Sequence, residues 1–266
     1  MAAIEADSRD AEVERAFRLH PSDFYGFLRP STCGLRVWLR EQGVEEDPPG
    51  VYAEMLMRLG IEHERRHLRR FPDAIDVAEL PRDVQARVTA QLVDAGERVI
   101  YQGRLQATTM LAGREVEISG LPDFMLPARD GYAIRDSKLN RRVGSSQEHV
   151  RLQLEAYGWL YEQTFGEPPA ALQVHAGSGE ILTLDYGGGG DALAAFERIL
   201  RYRLLAEEPR DEHVGVSKCG GCGYRSRCWP AAVERRDVGL IPFADRGLLD
   251  RLHEEGTSTL PLLLER

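Results

Sequence analysis

The chain has 266 residues, of which 42% are apolar and 29% charged, enough to bury a sizeable core in one large domain or a domain plus a small appendage. No apolar run approaches the roughly 20 residues that a membrane-spanning helix needs, and the acidic, polar opening "MAAIEADSRDAEVERAFRLH" does not read as a secretory signal, so a cytoplasmic location is expected. The formal net charge of -9 argues against binding nucleic acid through bulk positive charge, although a cleft can still be locally basic.

Residues 1–20 carry few apolar anchors and are expected to form a loosely docked or partly disordered helical lead-in. "PSDF" at 21–24 reads as a helix start, with Ser22 as cap and Asp23 near the positive end of the dipole. After the loop "EDPPG", apolar residues at 51, 55, 56, 59 and 61 predict a helix, and His63 lies in its "GIEHER" stretch. A second long helix is predicted over 80–97. From 98 to 138 β-branched and aromatic residues, punctuated by Gly103, Gly113, Gly120 and Asp130-Gly131, predict strands. Helix returns over 146–166, then a strand pair around "SG", then four glycines leading into a strong helix with Asp191 as its cap. A glycine run before a helix can cradle phosphate. Here no Walker-type lysine follows, and the run reads as a flexible loop. The arginine clusters at 65–70, 140–142, 201–203 and 225–227 read as solvated faces. The order of elements predicts a mixed α/β domain.

The stretch "GLPDFMLPARDGYAIRDSKLNRR" at 120–142 reads as a hairpin. With Asp130-Gly131 as a two-residue turn, 129 pairs with 132 and 123 falls opposite 138. Alternation then gathers Asp123, Asp136 and Lys138 on one face. Two carboxylates so close repel unless a cation lies between them, and oxygen ligands suit magnesium or manganese. A lysine beside such an ion can orient an attacking water, which is equipment for phosphodiester hydrolysis. An exposed charged strand is the plainer alternative. His63 can add an imidazole ligand, and Gln153 and Tyr157, four apart, share a helix face from which they can contact substrate or brace the site.

Four cysteines complete the pattern: Cys33, then Cys219, Cys222 and Cys228 in "CGGCGYRSRC". In a cytoplasmic chain the C-x2-C-x5-C spacing points to metal ligation before disulfides. Zinc and an iron–sulfur cluster both accept four thiolates, and the spacing does not choose between them.

Taken in order, Cys33, His63, Asp123, Asp136-x-Lys138, Gln153-x-x-x-Tyr157 and the late cysteine trio resemble the RecB-like nucleases of the PD-(D/E)xK superfamily, over about residues 20–230. More narrowly they resemble those with an iron–sulfur cluster, including CRISPR-associated RecB-like exonucleases. The resemblance implies a restriction-endonuclease-like α/β core, a mixed central sheet flanked by helices, whose N- and C-terminal parts are joined at a 4Fe-4S cluster on the four cysteines. It implies that His63, Asp123 and Asp136 bind Mn or Mg, that Lys138 positions the water, and that Gln153 and Tyr157 bind substrate. Glu64 adjoins the histidine motif and could contribute to the site. The expected domains are a lead-in at 1–20, the nuclease at 21–232 and a tail at 237–266 similar to a helix-hairpin-helix segment. In that tail "IPFADRG" replaces the glycine-rich hairpin, so packing on the nuclease or docking a partner is expected before DNA contact. The chain ends inside this segment, as a fragment of a longer protein would. The activity implied is a metal-dependent DNA exonuclease acting on single-stranded ends, in CRISPR adaptation or DNA repair, with an adaptation or helicase partner. The alternatives are a catalytically silent nucleic-acid-binding subunit, activated by a partner or stabilised by a cluster, and a zinc-stabilised adaptor.

Overall fold

Strand-forming residues in the middle of the chain build two sheets around one helix. The computed structural model describes residues 17–96, 98–141, 147–209 and 214–266. Its elements begin with β1 (Phe17–Leu19), α1 (Asp23–Leu28), α2 (Gly34–Glu41) and α3 (Val51–Leu68). The strand-rich part runs β2 (Ile75–Asp76), α4 (Arg82–Ala95), β3 (Ile100–Tyr101), β4 (Leu105–Leu111), β5 (Arg114–Gly120), β6 (Phe124–Ala128) and β7 (Gly131–Lys138). It continues with α5 (Glu148–Phe165), β8 (Ala171–Ala176), β9 (Ile181–Leu184) and α6 (Gly190–Arg203). The C-terminal part holds α7 (Val216–Cys219), α8 (Arg225–Arg235), a short 3-10 turn, α9 (Arg246–Glu254) and α10 (Leu260–Leu264).

The larger sheet has the order β2-β3-β6-β7-β8-β9, and the smaller one the order β1-β5-β4. Both are mixed: β7 runs parallel to β8 across the α5 connection, and β1 runs parallel to β5, while the hairpin pairs are antiparallel. α5 packs on strands of both sheets and on α1 and α6. Leu152, Leu154, Ala156, Tyr157, Trp159, Leu160 and Tyr161 are all buried. A helix apolar on every side belongs in a core, and here it forms the centre of the main apolar cluster. No helix among the described residues is long and apolar enough to cross a membrane.

The mixed α/β class and most element positions follow the sequence expectations, and the departures have local causes. Residues 17–19 form a strand instead of a helical lead-in, because Leu19 is fully buried beside β5; residues 1–16 lie outside the described residues. Ser22 does not cap α1 with its side chain; Asp23 Oδ2 instead accepts the N–H of His20 at 2.9 Å. Asp191 does not cap α6 either. It sits in the first turn, where its N–H donates to Glu155 and its carboxylate pairs with Arg151, while Gly189, at φ +81°, holds the cap position.

α3 is unusual. It buries only His67 fully, and its first half stands in solvent although rich in apolar residues: Val51 is 86% exposed and Tyr52 70%. Just before it, Asp47 clasps the C-terminal part. Its N–H donates to the Gly223 carbonyl at 2.5 Å and its carboxylate accepts from the Ser226 N–H at 3.0 Å.

Candidate active site

The β6–β7 hairpin turns one residue earlier than an Asp-Gly turn predicts. Ala128 pairs with Gly131 and Phe124 with Arg135, so the turn is Arg129–Asp130 and each β6 residue meets a partner two positions earlier on β7. Gly131 opens the strand at φ +94°, and a Cβ there would come within 3.1 Å of the Tyr161 hydroxyl. The left-handed φ is what needs the glycine, and the close approach adds to it. A slip of two keeps every side chain on its face. It does change who meets whom: carried one step further, the register brings Asp123 level with Asp136, not with Lys138.

Asp123 lies in the bend before β6, and its Oδ2 accepts the N–H of Ser137 at 2.6 Å. Asp136, on β7, is buried and forms an ion pair with the ammonium of Lys138. Asp123, Asp136 and Lys138 therefore do come together, as the spacing predicts. Burial, then the charges of Asp136 and Glu64, raise Asp123 well above the ordinary carboxylate range, against the opposing pull of Lys138 and the Ser137 N–H. Burial alone would lower Lys138; the facing charges of Asp136 and Asp123 outweigh it and the net direction is up.

Gln153 and Tyr157, a turn apart on α5, face the same place. Gln153 Nε2 donates to the Tyr157 hydroxyl at 3.1 Å, which donates to the Leu121 carbonyl at 3.2 Å. Tyr157 thereby braces the chain just ahead of Asp123. Gly120 makes room for it, since a Cβ there would lie 2.6 Å from the tyrosine ring. Burial first, and then Asp136, pushes the phenol well above its ordinary range, so it stays a neutral hydroxyl.

His63, on α3, stacks on His175 of β8 with ring centroids 4.3 Å apart, and its Nε2 lies 3.2 Å from the His175 carbonyl. A carbonyl only accepts, so Nε2 is the donor here. A backbone acceptor on one nitrogen is the usual way to orient a ligand histidine. His175 also stacks on His67, at 3.8 Å, and His67 Nε2 accepts from Arg135 Nη1 at 3.1 Å. Burial first, then the neighbouring charged groups, lowers His67 to about 3 and His175 to about 4.

Sequence reasoning missed His67 and His175, and it left Glu64 unassigned. His67 has a signal, four residues after His63 on the same helix face; His175 has none, since only the sheet register sets it beside Ser137. Glu64 reaches the cluster, because its charge acts on Asp123, Lys138 and Tyr157.

The cysteines are thiols, not disulfides. Cys33 precedes α2, Cys219 ends α7 and Cys228 lies in α8. All four line one pocket, together with Arg36 and Lys218. Burial, and then the proximity of the other three, pushes Cys228 up to about 11.

Among the described residues no three His, Cys, Asp or Glu side chains converge as a ready-made metal cage. The acids turn to protein partners instead: Asp136 to Lys138, and Asp123 to the Ser137 N–H. The donor chemistry nonetheless fits a divalent cation: Asp123, held by the Ser137 N–H, and Asp136 are neighbouring oxygen donors of the kind Mg or Mn takes.

Residues 40–229 match the family model of the PD-(D/E)XK nuclease superfamily, well over half of the chain and including His63, Glu64, Asp123, Asp136, Lys138, Gln153, Tyr157 and the late cysteine trio. The chain belongs to that superfamily. The name describes what the hairpin carries, with Pro122-Asp123 ahead of β6 and Asp136-x-Lys138 at the end of β7. No curated protein matches the chain. Among solved structures, one named SSO0001 is 14% identical with a TM-score of 0.40, over 82% of this chain and 88% of that one. Another, named "Putative exonuclease" from Eubacterium rectale, is 14% identical with a TM-score of 0.42, over 76% of this chain and 87% of that one. Likenesses this distant decide nothing about activity.

Proposed function

We propose that the chain is a divalent-metal-dependent deoxyribonuclease that shortens DNA from its ends, single-stranded DNA first. The observation that carries this reading is half-buried Asp123 beside buried Asp136 and its ion-pair partner Lys138, in a chain of the PD-(D/E)XK superfamily. Asp123, Asp136 and His63 would hold Mg or Mn, which when bound lowers the pKa of a coordinated water and offsets charge at the phosphate. The Lys138 ammonium, beside Asp136, would orient the attacking water. Tyr157 keeps the Asp123 segment in place, and Gln153 contacts the DNA.

A time course on end-labelled single-stranded DNA with manganese tests the reading, with wild type beside Lys138→Ala. Prompt shortening by wild type alone is expected, and the end that shortens gives the polarity. Equal cleavage by the variant would remove Lys138 from the chemistry. No cleavage by either would favour a binding subunit that a partner activates.

On the same reading, Cys33, Cys219, Cys222 and Cys228 hold a 4Fe-4S cluster. Four thiols around one pocket lined by Arg36 and Lys218 suit a cluster whose thiolates carry negative charge. Brown protein containing iron and acid-labile sulfide is the expected result; colourless protein with zinc would replace the cluster by a structural zinc. Work on DNA ends in CRISPR adaptation or repair, beside an adaptation complex or helicase, fits this equipment. Gene neighbourhood is the cheapest check of the pathway.

A further inference from the structure

Gln102, the residue after β3, has φ +50°, in the left-handed region that non-glycine residues enter only when their surroundings hold them there. Two bonds do the holding. Its N–H donates to the Asp123 carbonyl at 3.0 Å, and its side-chain amide donates to Glu64 Oε1 at 3.1 Å. The neighbouring Tyr101 hydroxyl donates to the same Glu64 oxygen at 2.5 Å. One short segment therefore ties the backbone of the Asp123 bend to the carboxylate of an α3 residue. Both donors fall on Oε1 and Oε2 takes neither. Both are also neutral, so they orient the carboxylate without balancing its charge. The ammonium that Glu64 feels, Lys138, is engaged by Asp136.

We propose that Glu64 is a third carboxylate of the divalent-metal site, and that Gln102 and Tyr101 are positioning residues that present it to Asp123 and Asp136. Three acids around one ammonium leave an excess of negative charge, which suits a divalent ion better than a second lysine. The electrostatic reach of Glu64 to Asp123, Lys138 and Tyr157 supports this placement. The inference rests on the metal-dependent reading above and adds to it a ligand from α3 and the device that aims it. The plainer alternative is that Glu64 only pins β3 to α3.

Binding of Mn2+ separates the two, measured as loss of the free-ion signal in electron paramagnetic resonance without any DNA. Glu64→Gln keeps an oxygen acceptor for Tyr101 and Gln102 and removes only the charge. Gln102→Asn keeps a residue that tolerates the left-handed region and withdraws the amide by one methylene. Wild type should bind Mn2+ and Asp136→Asn should lose it. Glu64→Gln should weaken binding about 10-fold or more, and Gln102→Asn by a smaller factor, with the ion-free melting temperature little changed. Unaltered Mn2+ affinity and stoichiometry in both variants, with wild type binding, would overturn the role of Glu64 and leave the nuclease reading standing. If Glu64→Gln does not fold, the affinity of Gln102→Asn decides alone. No Mn2+ binding by wild type would bring down both readings together.

Discussion

Asp123, Asp136 and Lys138 stand at a hairpin in the middle of a six-stranded sheet, whereas the four cysteines stand on loops and short helices drawn from distant parts of the chain. The first group is held by core packing: β6 and β7 place it, α5 backs it through Tyr157, and its unfavourable charge is tolerated because the surrounding fold is already stable. The second has little core of its own, a small cluster around Val214, Cys219 and Ala232, and is joined to the N-terminal part by the Asp47 clasp. On the proposed reading such a region would draw its stability from what its cysteines bind. The first site would then weaken the fold for the sake of chemistry, and the second would need a ligand for the sake of the fold.

Lys138→Ala bears hardest on this contrast. Cleavage should fall by about 100-fold or more, as expected when a preorganised charge is removed from a rigid site, with a smaller loss of melting temperature because buried Asp136 loses its partner. Cys219→Ala should do the reverse, losing iron and lowering the melting temperature by about 10 °C or more. An iron-free variant that melts like wild type would show that the two regions do not differ in this way.

Asp123→Asn sharpens the first half of the comparison. Its carboxyl is raised by burial and by acidic neighbours, so ionised Asp123 costs the ion-free fold stability at neutral pH. The amide, which keeps an acceptor for the Ser137 N–H, should raise the ion-free melting temperature by about 2–4 °C and abolish the further rise that Mn2+ gives wild type.

The smallest effect concerns His149, at the start of α5, which packs edge-on against Tyr25. Burial first, then Arg29 and Lys138, lowers it to about 4. The unfolded chain therefore takes up this proton first as pH falls, and the stability tied to the neutral ring is lost between about pH 6.5 and 4. His149→Gln should flatten the melting temperature between pH 7 and pH 5 by about 1–3 °C.

Much of this was legible in the sequence, for reasons that differ from residue to residue. Asp123, Asp136 and Lys138 could be placed on one face because strand alternation survives a register error of two, and the hairpin made that error. Gln153 and Tyr157 could be paired because helical spacing sets them side by side. Ser22 and Asp191 fail as side-chain caps because a cap depends on where a hydroxyl or carboxylate turns: Ser22 stands at the cap position of α1 without a side-chain bond, and the Asp191 carboxylate turns to Arg151. Gln102 and Tyr101 were invisible. Their roles arise only when β3 is set beside β6 and under α3, and no local pattern announces a long-range hydrogen bond.

The exposed first half of α3 has a consequence for motion. Its amides from Val51 to Leu59 are shielded by little besides the helix itself, whereas those near His67 lie against Phe124 and Phe71 in the sheet-side cluster. Hydrogen exchange should therefore run as a gradient along one helix, fast at the clasp end and slow at the sheet end. A helix that melts from one end becomes an extensible leash: the Val51–Leu59 segment spans about 13 Å when coiled and up to about 30 Å when drawn out. The Asp47 clasp thus sits beside the end of α3 that opens first, while Glu64 and His63 lie beyond the exposed segment.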